Sequence, residues 1–278
     1  MDTIAPSRTC RNCTAALIGP YCAQCGQKDS PLDPPLLSVA GDAASEALDI
    51  DGKLVRSTRF LFTRPGFLTT ELFAGRRASY VTAFKLYLVF SVILFTVSTV
   101  AGNRGLTTPP QGNRVDLGMG FSAFWDEDRP GDREKTIAMA EELVALRTTW
   151  LPRVMFVVMP LLALGVMAVT WGSRRHYPQH LQFTLHVATV VFAGVALVTF
   201  LPPVPPGSQA VVWRAAPAGA LIRTVVSLFL AIYAVMAFRK VYGRGWVVNT
   251  LRTVVVGFMF LVLWNVAGFA ILRYGLTR

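Results

Sequence analysis

The residues with the clearest chemistry are four cysteines near the N-terminus, in the order Cys10-Arg-Asn-Cys13, eight residues, then Cys22-Ala-Gln-Cys25-Gly26. Each CxxC hairpin can offer two thiolates, and two hairpins together can close a tetrahedron around Zn²⁺, with sulfur about 2.3 Å from the ion. Gly26 suits the tight turn of a knuckle, and Gly19-Pro20 supplies a turn between the hairpins. So short a segment has no apolar core of its own, so metal would supply its folding free energy. A set of four cysteines leaves no open position, which makes the expected role structural. Three other readings stand beside zinc. They are another metal, a disulfide pair, which a reducing cytoplasm disfavours, and thioredoxin-type redox work, which needs a βαβ setting that this sequence lacks.

A second group of polar residues lies inside apolar stretches. His180 and His186 fall near the start of one such stretch, Arg223 lies in a second and Asn265 in a third. A charge within hydrocarbon needs a partner, a wet cavity or a surface to reach, so either Arg223 and Asn265 face each other or Arg223 snorkels outward. The histidines lack neighbouring carboxylates or thiols. His186 is expected to hydrogen-bond between helices and not to bind metal.

The elements that must carry these groups follow from composition. Hydrophobic residues are 53% of the 278 and charged residues 15%, well below the quarter usual in soluble domains. Five apolar runs, at 83–101, 153–172, 181–201, 218–238 and 252–272, have the length of a membrane-spanning helix. Lys85 lies within snorkelling reach at the start of the first, and Pro160 is expected to kink the second. The expected fold is therefore an all-α transmembrane bundle of about five spans. It would carry interfacial helices and a small four-cysteine zinc-ribbon-like knuckle.

The chain divides on paper into a knuckle at 1–28, a stiff Pro-rich linker at 29–35, juxtamembrane interfacial helices at 36–82 and a membrane domain at 83–278. The knuckle and the membrane domain are expected to be separate units. Within the juxtamembrane part, 36–50 has helical periodicity, and aromatics and arginines mix up to residue 80 with a break at Pro65-Gly66, which suits either interfacial helices or a helical layer packed on the membrane domain. Residues 133–149 read as an amphipathic helix leading into the second span.

Net charge is +11, but Arg76-Arg77, Arg174-Arg175 and Arg239-Lys240 flank apolar runs. That placement fits bilayer topology and anionic headgroups better than nucleic acid, which is not expected as a partner. It puts the N-terminus in the cytoplasm of a cell with an inner membrane and the C-terminus outside. The 102–152 loop would be external, although its six basic residues vote the other way. No signal peptide is visible before the cysteines, so the first span would serve as an uncleaved insertion signal.

The order of features resembles an uncharacterised bacterial membrane family classed as a domain of unknown function. The stretches that carry the resemblance are Tyr21-Cys-Ala-Gln-Cys-Gly-Gln27, Arg64-Pro-Gly-Phe67 through Gly75-Arg-Arg77 and Tyr80, and Lys85-Leu-Tyr-Leu88. Tyr177-Pro-Gln-His180, Phe183-Thr-Leu-His186 and Val241-Tyr-Gly243 continue it. Thr14 departs from the pattern, since similar proteins tend to have Gly after the first CxxC. The family implies an architecture and no activity.

No HExxH, GxSxG, Walker A or dinucleotide fingerprint is present, and the spans hold no Asp or Glu. The reading is thus non-enzymatic: a membrane-anchored interaction or assembly module whose zinc knuckle docks a cytoplasmic protein. The alternative is a small-molecule or lipid transporter or lipid-modifying protein. With five spans and no internal repeat, a transporter would need a homo-oligomer. Metal or redox sensing by the cysteines is a third, weaker reading.

Overall fold

The computed structural model describes residues 9–29, 52–107, 114–118, 121–124, 126, 128–200 and 217–276. The helix expected at 36–50 lies outside them. The chain is all-α in its long elements. Short helices α1 (Gly52–Thr63) and α2 (Phe67–Phe73) precede α3 (Ala83–Thr107), α4 (Asp132–Val169), α5 (Tyr177–Phe200), α6 (Pro217–Tyr242) and α7 (Trp246–Leu276). Between α3 and α4 an antiparallel hairpin pairs β1 (Arg114–Gly118) with β2 (Phe121–Phe124).

Among the described residues, five helices are long and apolar enough to cross a membrane: Ala83–Ala101, Thr149–Val169, Tyr177–Phe200, Leu221–Tyr242 and Trp246–Ala270. The first matches the run read from sequence. The others are shifted because backbone capping, and not the apolar run, sets helix ends. The second stops at Val169, where Thr170 and the positive φ of Gly172 (84°) turn the chain. The fifth begins six residues before the run at 252, because the Asn249 amide donates to the carbonyls of Gly243 (2.8 Å) and Gly245 (2.9 Å) and organises the first turn. The amphipathic 133–149 segment continues into its span as one helix, α4, with Pro152 and Pro160 inside it. The exposed faces of α6 and α7 are lined by large apolar side chains such as Leu228, Phe258 and Phe269. Water does not tolerate an apolar surface of that extent on a monomer.

Two compact units partition the chain, and each boundary falls inside a long helix. The first comprises Met1–Leu88, Ala163–Val190 and Tyr233–Val255. Its core gathers Leu61, Leu68, Val81, Leu86, Val166, Phe183 and Phe238, with the Phe183 and Phe238 rings 4.7 Å apart edge to face. The α1–α2 pair, read as interfacial helices broken at Pro65-Gly66, is bound into this core. The Tyr233 hydroxyl donates to the Leu61 carbonyl (2.8 Å), one of the C-terminal carbonyls α1 cannot satisfy itself. The Val81 N–H donates to Ser57 Oγ (3.0 Å). At the elbow Gly66 has φ 74°, and a Cβ there would lie 3.0 Å from Lys240 Cβ and 3.1 Å from the Ala237 carbonyl of α6. Only glycine fits both the conformation and the gap.

The second unit comprises Val89–Leu162, Val191–Ile232 and Val256–Arg278. Here Gly194 of α5 lets Leu230 of α6 approach, since a Cβ at 194 would meet Leu230 Cδ1 at 2.9 Å. Phe95 and Phe192 pack at 6.4 Å.

Candidate metal centre and buried polar cluster

The two CxxC hairpins are copies of one turn, offset by twelve residues. In the first, Cys10 N–H donates to the Ala15 carbonyl (2.7 Å) and Thr14 N–H to the Cys10 carbonyl (2.8 Å). In the second, Cys22 N–H donates to Gln27 (2.8 Å) and Gly26 N–H to Cys22 (2.8 Å). Single β-bridges, Thr9 with Ala16 and Tyr21 with Lys28, close each hairpin. The residue after the second cysteine of each pair needs positive φ: Thr14 has 65° and Gly26 has 72°.

This turn aims backbone N–H groups at sulfur. Those of Cys13 and Asn12 hold the Cys10 thiol below its ordinary value, and those of Cys25 and Gln24 bring Cys22 down to about 6. The Ala15 N–H acts the same way on Cys13, but burial and the three neighbouring sulfurs outweigh it and push that thiol up to about 12. One group is thus poised as thiolate while its neighbour keeps a proton, as expected when four acids share a site.

All four sulfurs lie within 4.8 Å of one another, with Cys10–Cys25 at 3.6 Å and Cys13–Cys22 at 3.5 Å. A zinc tetrahedron with 2.3 Å bonds has edges of about 3.8 Å, so the sulfurs are already near metal-binding spacing. These separations are far beyond a disulfide bond length, and all four cysteines are free. Together they could hold a metal ion. Among the described residues this is the one group of three or more such ligands within reach of a single ion.

The knuckle is not the separate unit expected from sequence. Gln27 Oε1 accepts from the N–H groups of Arg77 (2.9 Å) and Ala78 (3.1 Å), and its Nε2 donates to the Gly75 carbonyl (2.8 Å). Ser79 Oγ donates to Asn12 Oδ1 at 3.3 Å. The side chain just past the CxxCG turn therefore fastens the knuckle to the segment following α2, within the first compact unit. Ile18, between the hairpins, is 97% exposed, and Tyr21, at the start of the second hairpin, is 59% exposed. In the same segment Arg76 clasps Glu71, Nε to Oε2 at 2.6 Å, which raises the guanidinium further above its ordinary value.

The structure divides the polar residues picked out inside the apolar runs. His180 and His186 lie in the first unit, Arg223 and Asn265 in the second. His186 Nδ1 meets Thr69 Oγ1 of α2 at 2.8 Å, the inter-helix hydrogen bond expected for it, and its Nε2 is buried without a hydrogen-bond partner. His180 Nδ1 lies 2.8 Å from the Tyr242 hydroxyl and its ring stacks on Tyr242. Asn265 is exposed, and its Nδ2 donates to the Leu261 carbonyl of its own helix (2.7 Å). This contact is local to α7. A short polar side chain in a helix commonly satisfies itself on the preceding turn. Arg223 is half-buried in α6.

Lys85, expected to snorkel, is instead 4% exposed. It lies in the first turn of α3 and is covered by the first unit's packing. Sequence reading also passed over Thr69, Tyr233, Tyr242, Asn249 and Arg252. The last two are structural: Arg252 donates from Nε to the Val169 carbonyl at the end of α4 (3.0 Å) and from NH1 to Asn249 Oδ1 (3.2 Å). A polar residue at the border of an apolar run was the available signal for them.

A family model described as "Protein of unknown function (DUF3667)" matches residues 51–95, the stretch from α1 into α3. No curated protein and no solved structure matches the chain.

Proposed function

We propose that this is a multi-pass inner-membrane protein whose N-terminal knuckle binds Zn²⁺ and serves as an assembly site for a cytoplasmic protein partner. The observation that carries the reading is the mounting of the knuckle. Gln27 fastens it to Gly75–Ala78, while Ile18 and Tyr21 stand exposed. Such side chains exposed on a rigid, metal-closed turn suit recognition and not chemistry, because the site has no vacant coordination position. Orientation is argued from the positive-inside rule. Arg76 and Arg77 precede the first span, Arg174 and Arg175 join the second to the third, and Arg239, Lys240 and Arg244 lie where the fourth joins the fifth, which are the connections on the N-terminal side for five spans. The same rule, over five spans, leaves the C-terminus outside.

Photo-crosslinking tests the proposal. A crosslinker placed at Tyr21 in intact membranes is expected to give a discrete protein adduct that Ile18→Asp abolishes, with metal content and membrane insertion unchanged. No protein adduct, or one indifferent to Ile18→Asp, would count against it.

A second reading, transport or modification of a small molecule or lipid, is favoured by one observation: the buried Nε2 of His186, in the same unit as buried Lys85, His180 and Asn249. Buried polar groups of that density in a membrane domain mark pathways more often than packing. Flux in proteoliposomes that His186→Ala abolishes while zinc is retained would support it, and absence of flux from the wild type would remove it.

A further inference from the structure

The first unit is strongly cationic. Over Met1–Leu88, Ala163–Val190 and Tyr233–Val255 it carries sixteen lysines and arginines against eight acids; seven of those acids precede residue 52, and the eighth, Glu71, is engaged by Arg76. Several of these cations converge on the C-terminal end of α6. Arg239 and Lys240 occupy its last turn. Arg175 donates to the Val241 carbonyl (3.0 Å) with its guanidinium 4.4 Å from the Phe73 ring centroid. The Gly66 elbow packs on α6, where a Cβ at 66 would lie 3.0 Å from Lys240 Cβ, and this brings the Arg64 turn beside Lys240.

Two of these guanidinium groups stand over aromatic rings. Arg64 sits 5.1 Å from the Phe60 centroid and 5.6 Å from that of Phe67, and Arg239 sits 4.3 Å from that of Trp246. A neighbouring ring restrains a guanidinium without using up its N–H donors, which remain available to phosphate oxygens. Arg64, Arg239 and Lys240 are all exposed. The bland explanation is that cations offset the negative end of the α6 dipole. That end amounts to about half an elementary charge, against four cations.

The location selects the anion. Tyr242 ends one candidate span and Trp246 begins the next. Trp171, 86% exposed, stands two residues beyond the end of the Thr149–Val169 span, and Trp246 is 53% exposed. Exposed tryptophans at span ends mark the headgroup level of a bilayer. The geometry points to a binding site for the headgroup of an anionic glycerophospholipid, formed by Arg64, Arg175, Arg239 and Lys240. The inference is independent of the metal site and of the protein partner proposed above.

The test uses the full chain, purified and delipidated in detergent, with phosphatidylglycerol or phosphatidylethanolamine added as mixed micelles. Phosphatidylglycerol is expected to raise the apparent Tm by several degrees and to stay bound through native mass spectrometry, while phosphatidylethanolamine does neither. Arg64→Gln/Arg239→Gln/Lys240→Gln should lose most of the shift and at least half of the retained lipid, and Arg133→Gln on α4 should lose neither. Equal response to both lipids, an unchanged triple variant, or the same shift from inorganic phosphate at equal concentration would each overturn the proposal. If the triple variant fails to fold, the wild type decides. Retention of phosphatidylglycerol should fall severalfold between about 50 and 500 mM salt, and salt-independent retention would overturn the site.

Discussion

Replacing Thr14 with glycine should tighten metal binding. Thr14 and Gly26 occupy equivalent places in the two hairpins, and both have positive φ, 65° and 72°. A β-branched residue in that region is disfavoured by about 1–2 kcal/mol relative to glycine. Against this, glycine loses about 0.5–1 kcal/mol more backbone entropy on ordering. The Thr14 Oγ1 bond to the Cys13 carbonyl (2.6 Å) is exposed and contributes little. The balance favours Thr14→Gly by about 0.5–1 kcal/mol. Because metal binding and folding of the knuckle are one event, this becomes roughly a two- to fivefold gain in apparent affinity. The reciprocal Gly26→Thr should weaken binding. A Cβ at Gly26 meets nothing within 4 Å, so the effect there is conformational, without a clash. Chelator competition on the full chain in detergent measures both. If Thr14→Gly binds metal less tightly, or Gly26→Thr binds it equally well, the twin-hairpin argument is wrong.

Three further outcomes follow from the same geometry. Gly66→Ala combines a left-handed φ with a 3.0 Å approach to Lys240 Cβ. It should cost about 2–4 kcal/mol, seen as a clear fall in the apparent Tm of the detergent-solubilised chain, and an unchanged Tm would refute the elbow's packing. Gln27→Ala removes three hydrogen bonds to Gly75, Arg77 and Ala78. At about 0.5–1.5 kcal/mol each before solvent compensation, it should speed amide exchange at Arg77 and Ala78 tenfold or more while metal content holds; protection equal to wild type would sink the docking. The Cys22 thiol, lowered to about 6 from its ordinary value near 9, is stabilising as a thiolate above pH 9 and loses that contribution as pH falls through 6. With folding and metal binding one event, the thiols of the free knuckle keep their ordinary values, so uptake near pH 7 should release close to four protons. Isothermal titration in buffers of different ionisation enthalpy counts them, and about three or fewer would show a knuckle already folded before metal binds.

The sequence made most of this architecture legible because two of its signals are local. Cysteine spacing within a turn and apolar runs of span length need no knowledge of tertiary contacts, and both appear in the structure, along with the break at Pro65-Gly66 and the continuation of 133–149 into a span. What could not be read depends on partners distant in sequence. Gln27 was visible as part of a motif, but its role lies in carbonyl and amide groups of residues 75–78. Thr69 and His186 are separated by more than a hundred positions, and Tyr233 bonds a carbonyl of α1. Lys85 and Asn265 went the other way. A charge near a helix start and an amide in a span each have a usual behaviour, and here packing buries the first while a neighbouring carbonyl takes the second. Span ends shifted by one to six residues, the largest shift arising where Asn249 caps the first turn of α7 and carries the helix past its apolar stretch.

The most direct test of the central claim is metal content per chain in detergent-purified protein, wild type beside Cys22→Ser/Cys25→Ser. The account predicts about one zinc per wild-type chain and none in the variant, with both proteins inserted in the membrane. Wild-type protein that carries no metal, or whose cysteines are recovered as disulfides, would contradict it.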